Sequence, residues 1–188
     1  MAIIRNEVVN ALLDRRSIRR YKPDQISEDQ LETILTCGFN APSGGNTQSW
    51  FVAVVQDSKF IDEMHQVFVN TLPPLDKLPP IMSERMKDPE YNLVFRAPTA
   101  IFVFYDPEKS QLNSAILGQN MVIAAQSLGL GTCYLGGPMQ IFGTPEGEEF
   151  MKRMNVPEGY KPSFGLAVGY PNENPEARPR DLTKFSRV

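Results

Sequence analysis

Four arginines and one serine lie within a six-residue segment, Arg15 to Arg20, which reads R-R-S-I-R-R. The chain as a whole is acidic, with a formal net charge of −3. Guanidinium groups repel one another at this spacing unless an anion or water separates them, and each presents a rigid fork of donors that matches phosphate oxygens. The segment is therefore a candidate phosphate site. A solvated turn at a helix end would contain the same residues, because cations also suit that end of the helix dipole.

A second segment whose residues could bind a ligand is the loop from Asn40 to Gln48, which reads N-A-P-S-G-G-N-T-Q. Its amide side chains can both donate and accept hydrogen bonds, which suits the carbonyl and N–H edge of a flat heteroaromatic ring. The same composition is also typical of an ordinary surface loop. Both interpretations stay open from these residues alone.

The segment Gly129 to Gly137 reads G-L-G-T-C-Y-L-G-G and resembles the start of a dinucleotide-binding fingerprint. It lacks the third glycine and follows a predicted helix rather than a strand, so a Rossmann site is not indicated. Gly129 is expected to cap that helix at its carboxyl-terminal end. Near the end of the chain, Arg178 and Arg180 flank a proline, and on their own they would be a solvated pair.

Composition excludes several classes of protein. With 188 residues, of which 41% are hydrophobic, the chain suits one domain with a real core. A pI near 5.3 disfavours a general nucleic-acid or membrane-surface binder. Cys37 and Cys133 have no disulfide or metal-site spacing, and we expect both to be buried free thiols. His65, the one histidine, has no nucleophile motif beside it, so we expect a helix surface residue. Since residues 1–10 contain no apolar leader, we expect a soluble cytoplasmic protein.

The hydrophobic pattern predicts the elements that must position these segments. The Ser27–Gln30 capping box opens one of the predicted helices, and four prolines between Thr71 and Pro80 exclude a continuous helix there. Every strand is apolar throughout, as in sheets covered on both faces, which predicts an α+β or α/β three-layer sandwich. The predicted helices span 4–15, 28–38, 59–70, 114–128 and 142–154; the predicted strands span 50–55, 100–105, 132–135 and 163–169.

In this order and spacing, the segments resemble the FMN-dependent nitroreductase family from Ile4 to about Leu182, most weakly from Phe60 to Tyr91. The resemblance implies a central, mostly antiparallel sheet flanked by helices, in a domain-intertwined homodimer. It also implies that 1–188 form a single FMN-binding domain, with 59–95 as a variable lid or substrate wall. Many relatives have Gln-Pro-Trp where this chain has Gln48-Ser49-Trp50, and the serine is expected to loosen the loop slightly.

The resemblance also assigns roles in FMN binding. It places Arg15 and Ser17 on the phosphate, together with one or both of Arg178 and Arg180. Arg16 would lie along the ribityl chain. Arg19 would lie near N1 and O2, where a cation favours the reduced, anionic ring and raises the reduction potential.

Two further segments would contact the flavin ring. Near N5 the resemblance places Leu135, Gly136 and Gly137, with a backbone N–H near Gly136 donating to N5. From the second subunit it implies contacts by Pro42, Ser43, Asn46 and Gln48. No side chain is implied as a catalytic acid or base, and no metal is implied.

The implied activity is that of an FMN-dependent NAD(P)H oxidoreductase. Hydride would pass through flavin N5 to nitroaromatics, quinones or similar electron-poor acceptors in a ping-pong mechanism. The same scaffold supports other ring chemistry, such as dehalogenation and dehydrogenation, and a non-enzymatic flavin sensor is a further alternative. The implied partners are a second copy of the chain and a small aromatic acceptor, without nucleic acid or membrane. The choice between NADH and NADPH stays open, because no uncommitted arginine stands out in the sequence.

Overall fold

The structure is a computed structural model that describes residues 3–188; Met1 and Ala2 of the predicted domain lie outside it. The helices are α1 (Glu7–Asp14), α2 (Glu28–Phe39), α3 (Ser58–Thr71), α4 (Pro80–Lys87), α5 (Leu112–Ser127) and α6 (Pro145–Arg153). The strands are β1 (Trp50–Val55), β2 (Thr99–Tyr105), β3 (Gly131–Leu135) and β4 (Lys161–Gly169). Short 3₁₀ turns span Gly44–Asn46, Leu75–Lys77 and Gly137–Gly143.

The four strands form one antiparallel sheet in the order β1-β2-β4-β3. Alternate residues of β2 enter two different cores. Phe102 and Phe104 pack with α3 and the 137–143 turn, whereas Ile101 and Val103 pack with α2 and α5. Both faces of the sheet are therefore covered, and the predicted α+β three-layer sandwich is confirmed.

Helix α5 is apolar around most of its circumference and is the predicted central helix. Leu117 and Met121 are fully buried against the sheet. At its end, Gly129 has a φ of 73° and donates to Gln126 at 3.1 Å, while Leu130 donates to the Ala125 carbonyl at 2.9 Å. This pair of bonds is the Schellman motif, which confirms the predicted glycine cap and turns the chain directly into β3.

Three helices differ from the expectation. The helix predicted over 4–15 begins only at Glu7, because Asn6 caps it by accepting from the Val9 N–H at 2.9 Å. The helix predicted over 142–154 begins only at Pro145, because Phe142 belongs to the preceding 3₁₀ turn and Thr144 caps α6 by accepting from the Gly147 N–H at 3.0 Å. Helix α4 was not predicted, since its proline-rich surroundings hide the pattern; Pro80 occupies its first turn, where no N–H is needed.

Two side chains also differ in burial. Cys37 is exposed, whereas Cys133 is buried as expected. His65 is half-buried, with a buried Nδ1 and an edge contact to Tyr91, rather than on the surface. Among residues 3–188, none of the helices combines the length and apolar character that a bilayer crossing requires.

Candidate functional site

The arginine segment runs beside β3. After α1 ends, Ser17 forms a parallel bridge with Thr132, and the Ile18 N–H donates to the Thr132 carbonyl at 2.9 Å. Ile18 is buried against Gly131, where a side chain would collide with it. This packing anchors the segment and leaves Arg15, Ser17 and Arg19 half-buried at the edge of the sheet.

The arginines of this segment differ in what they already bind. Arg16 donates to the carbonyls of Leu13 and Arg15, at 2.9 and 2.8 Å, and so caps the end of α1. Arg19 donates to the Ser17 carbonyl at 3.2 Å, but its Nε is buried without a hydrogen-bond partner. Across residues 3–188, no ion pair neutralises Arg15, Arg16 or Arg19. The segment therefore retains unpaired positive charge and donors.

The turn after β3 faces Arg19 across a cavity of about 170 Å³. Leu135 is buried there, whereas Gly136 and Gly137 are exposed. A Cβ on Gly136 would meet nothing within 4 Å, and one on Gly137 would lie 3.7 Å from Met82 Cε. The structure thus places Arg19 and the predicted turn around one cavity. The two glycines leave the backbone of that turn uncovered by side chains.

The other walls of this cavity include residues to which the sequence analysis gave no role in a site. Cys133 comes from β3, and burial raises the pKa of its thiol, although Arg19 and Arg85 act in the opposite direction. Burial likewise raises the pKa of Tyr91. Both groups therefore stay protonated near neutral pH, and neither supplies a nucleophile. Nothing in the sequence pairs Cys133 with Tyr91, because the two residues lie more than forty positions apart.

The loop before β1 is exposed but ordered by hydrogen bonds. Ser43 Oγ accepts from the Gln48 N–H at 3.0 Å, and Gln48 Nε2 donates to Asn46 Oδ1 at 3.4 Å. Asn46 and Gln48 both have positive φ, 55° and 45°, as does Gly45 at 59°. Left-handed backbone at non-glycine residues is costly and clusters at functional sites. Pro42 is exposed in the same loop.

Asn113, at the start of α5, holds this loop and was missed from the sequence. Its Oδ1 accepts from the Gly44 N–H at 3.2 Å, and its Nδ2 donates to Ser49 Oγ at 3.0 Å. Ser49 is buried, and its carbonyl accepts from the Asp106 N–H at 3.0 Å. Ser49 is therefore held at both its hydroxyl and its carbonyl.

The loop and the arginine cavity do not meet within one chain. The loop leads into β1, whereas Arg19 and Gly136 lie beside β3, and these strands are the two opposite edges of the sheet. Three strand spacings separate them, which is about 14 Å. One chain therefore carries two separate groups of predicted site residues.

Arg178 and Arg180 form a third group. The chain after β4 is bonded to the arginine segment as far as Glu173. The Asn172 N–H donates to the Arg20 carbonyl at 2.9 Å, and the Arg19 backbone N–H donates to the Glu173 carboxylate at 2.5 Å. Beyond Glu173, Arg178 and Arg180 are exposed, and Arg180 donates to the carbonyl of Arg178 at 3.1 Å. Within the part of the chain that the structure describes, neither is bonded to Arg15 or Ser17.

A four-stranded antiparallel sheet between helical layers, with an arginine-lined edge, defines a class of folds shared with solved flavoproteins. A nitroreductase with bound FMN from Desulfitobacterium hafniense has a TM-score of 0.88 at 28% identity, covering 98% of this chain and 100% of that one. A nitroreductase with bound FMN from Bacteroides fragilis has a TM-score of 0.86 at 26% identity, with the same coverage.

Sequence comparison agrees with the fold. A curated relative from Bacillus subtilis, an FMN reductase (NAD(P)H), is 28% identical over 183 residues, 93% of this chain and 70% of the relative. The model of the nitroreductase family matches residues 12–170. The chain therefore belongs to the nitroreductase family, and the resemblance stated from the sequence is confirmed.

Proposed function

We propose that the protein is an FMN-dependent NAD(P)H oxidoreductase that reduces nitroaromatics, quinones or similar electron-poor acceptors in a ping-pong cycle. The class of enzyme, a flavin-dependent oxidoreductase, follows from the family. The observation that carries the proposal is the cavity between Arg19 and the Gly136–Gly137 turn. Arg19, whose buried Nε lacks a hydrogen-bond partner, lines one side of this cavity. On the other side, Gly136 and Gly137 leave the backbone uncovered by side chains.

The residues of this edge fit FMN. Arg15 and Ser17 are half-buried and carry donors suited to phosphate. Arg16 lies between them in the sequence, but one of its guanidinium nitrogens already donates to the Leu13 carbonyl at the end of α1. When bound, FMN would take hydride from NAD(P)H at N5 and pass it to the acceptor. Arg19 would hold positive charge beside the ring, and the open turn at Leu135, Gly136 and Gly137 would let a flat ring approach the backbone closely.

We propose further that two copies of the chain complete each site. The loop that contains Pro42, Ser43, Asn46 and Gln48 lies at the sheet edge opposite Arg19, so it would contact the FMN held by a partner. Apolar side chains remain exposed on α1, with Val8 62% and Leu12 48% accessible, and Leu182 and Phe185 are exposed in the tail. A homodimer would cover them and would give Arg178 and Arg180 an anion to bind.

Two further parts of this proposal, the domain and the substrate wall, rest only on where the residues lie in the fold. Residues 1–188 would act as one FMN-binding domain in the cytoplasm. The segment 59–95 would form the lid or substrate wall, and within it Met82 and Arg85 line the cavity beside Gly137.

The decisive experiment is the visible absorption spectrum of the purified protein, followed anaerobically as NADH and then NADPH are added. Flavin bands that bleach with a pyridine nucleotide would support the proposal and identify the donor. Bands that bleach only with dithionite would contradict the NAD(P)H-dependent activity and favour a sensor or another electron source. A protein without flavin that cannot be reconstituted with FMN would overturn the proposal entirely.

A further inference from the structure

A carboxylate lies beside Arg19, on the chain that follows β4. There the Asn172 N–H donates to the Arg20 carbonyl at 2.9 Å. One residue earlier in the arginine segment, the Arg19 N–H donates to a side chain on the same stretch, Glu173 Oε1, at 2.5 Å. A hydrogen bond to a carboxylate is stronger than one between neutral groups. Glu173 therefore fixes the backbone of an arginine whose buried Nε has no partner within residues 3–188.

The Arg19 guanidinium is held separately from this carboxylate. Its Nη1 donates to the Ser17 carbonyl at 3.2 Å, and its carbon lies 5.8 Å from the centroid of the Phe95 ring, close enough for cation–π attraction. Across residues 3–188, neither Arg19 nor Glu173 takes part in an ion pair. Glu173 thus binds Arg19 through its backbone and leaves the guanidinium at the cavity that Arg19 lines.

The negative charge of Glu173 reaches this cavity, although Glu173 is not among the residues that line it. Cys133, which does line it, responds to the charges around it. Burial is the main cause that raises the pKa of its thiol, and the Glu173 carboxylate raises it further. Three arginines act in the opposite direction: Arg19, Arg85 and Arg15. The cavity therefore lies between several positive charges and one negative charge.

A carboxylate in this position opposes the effect of Arg19 on a flavin. Positive charge beside the ring favours its reduced, anionic form and raises the reduction potential. Glu173 is half-buried, so solvent screens its charge incompletely. Its charge acts over several ångströms and disfavours the anionic ring.

We propose that Glu173 is a positioning residue that sets the reduction potential of the flavin, because it fixes Arg19 at the cavity and offsets part of its charge. This inference rests on the proposed function, since it places the flavin ring beside Arg19. With Glu173 in place, the protein binds the reduced, anionic ring less tightly than Arg19 alone would. The reduced flavin is therefore a stronger electron donor to the acceptor.

The test measures the midpoint potential of FMN bound to the full-length protein, by anaerobic reduction against a reference dye. Glu173→Gln removes the charge but retains an oxygen that accepts from the Arg19 N–H. Its preference for reduced over oxidised FMN should rise about tenfold, in line with one charge acting near a protein surface. For a two-electron couple, tenfold corresponds to about 30 mV in potential. The affinity of this variant for oxidised FMN should not fall.

Two further variants separate charge from structure. Glu173→Ala also removes the acceptor of the Arg19 N–H, so it should show the same rise in potential and bind oxidised FMN about fivefold more weakly. Glu158→Gln makes the same change of charge at an exposed residue just before β4, at the end of that strand opposite Glu173. It should change neither quantity. Circular dichroism checks that each variant is folded.

Alkylation of Cys133 provides a readout that does not depend on flavin reduction. Removing a carboxylate that raises the pKa of this thiol increases its thiolate fraction. In Glu173→Gln the rate of reaction of Cys133 with iodoacetamide, relative to that of exposed Cys37, should rise at least twofold at pH 8. The same ratio should stay constant in Glu158→Gln.

The outcomes separate this inference from the proposed function. Flavin that NAD(P)H reduces, with the same potential in Glu173→Gln as in the wild type, would overturn the inference and leave the proposed function standing. A loss of FMN affinity in Glu173→Ala alone would then assign Glu173 a purely structural role. An equal rise in potential in Glu158→Gln would also overturn the inference, because the effect would follow net charge rather than contact with Arg19. A protein that does not bind FMN would overturn both.

Discussion

Ile18 and Gly131 are packed so closely that a Cβ on the glycine would lie 2.7 Å from Ile18 Cγ1. This contact joins the arginine segment to β3. We therefore expect Gly131→Ala to push the segment away from the sheet, lower the free energy of unfolding by about 1–3 kcal/mol and weaken FMN binding. Urea unfolding and the flavin content after purification measure the two effects. Gly143→Ala is the control, because a Cβ there would meet nothing within 4 Å. Equal behaviour of the two variants would show that the contact does not matter.

Arg19 should be the arginine to which FMN binding is most sensitive. Its side chain lines the cavity and its buried Nε has no hydrogen-bond partner, so Arg19→Gln removes both a charge and donors. We expect a loss of about tenfold or more in FMN affinity, measured by quenching of flavin fluorescence, together with a lower reduction potential of any flavin that remains. Arg20→Gln, an exposed neighbour, is the matched control. FMN affinity that falls equally in both variants would indicate general electrostatic attraction.

Asn113 should control the order of the Asn40–Gln48 loop. Asn113→Ala leaves the Gly44 N–H and Ser49 Oγ without their partner, which costs about 1–3 kcal/mol of unfolding free energy. Because this loop would contact FMN, flavin affinity should fall as well. Asn70→Ala, on the exposed side of α3, should change neither quantity. Lower stability with unchanged flavin affinity would show that the loop does not contact the cofactor.

The proposed homodimer depends on the exposed apolar face of α1. Leu12→Glu places a charge on that face, and we expect it to shift the protein from dimer to monomer in sedimentation velocity and to reduce bound FMN. Leu75→Glu introduces the same change at another exposed leucine, 52% accessible, and should leave the dimer intact. A wild-type protein that sediments as a monomer while retaining FMN would contradict a site shared between two chains.

The two cysteines should differ strongly in reactivity. Burial raises the pKa of the Cys133 thiol, so at pH 8 its thiolate fraction is smaller than that of an ordinary cysteine. Cys37 is exposed. We expect iodoacetamide to alkylate Cys37 at least tenfold faster in the folded protein, as measured by peptide mass spectrometry. Alkylation of Cys133 should accelerate as pH rises above about 9, and both thiols should react alike in urea. Fast labelling of Cys133 at pH 8 would show that its pKa is not raised.

Much of the fold could be predicted from residue patterns because its local signals are strong. The Ser27–Gln30 capping box, the apolar run that forms β1 and the glycine at 129 each act within a few residues, and each is found where it was expected. The errors occur where tertiary contacts override such signals. Phe142 is held in a 3₁₀ turn by burial in the core. Helix α4 follows a proline-rich segment, which hides its helical pattern in the sequence.

The sequence by itself determined the family, the apolar strands and the residue types that suit FMN, because these depend on order and spacing along the chain. Only the tertiary structure decided which of those residues meet. It places Arg19 opposite Gly136, separates both from Asn46 by the width of the sheet, and adds Arg85 and Phe95 to the cavity wall. The reason is physical: burying both faces of the sheet sets the strand order, and strand order, rather than distance along the chain, determines which side chains share a cavity.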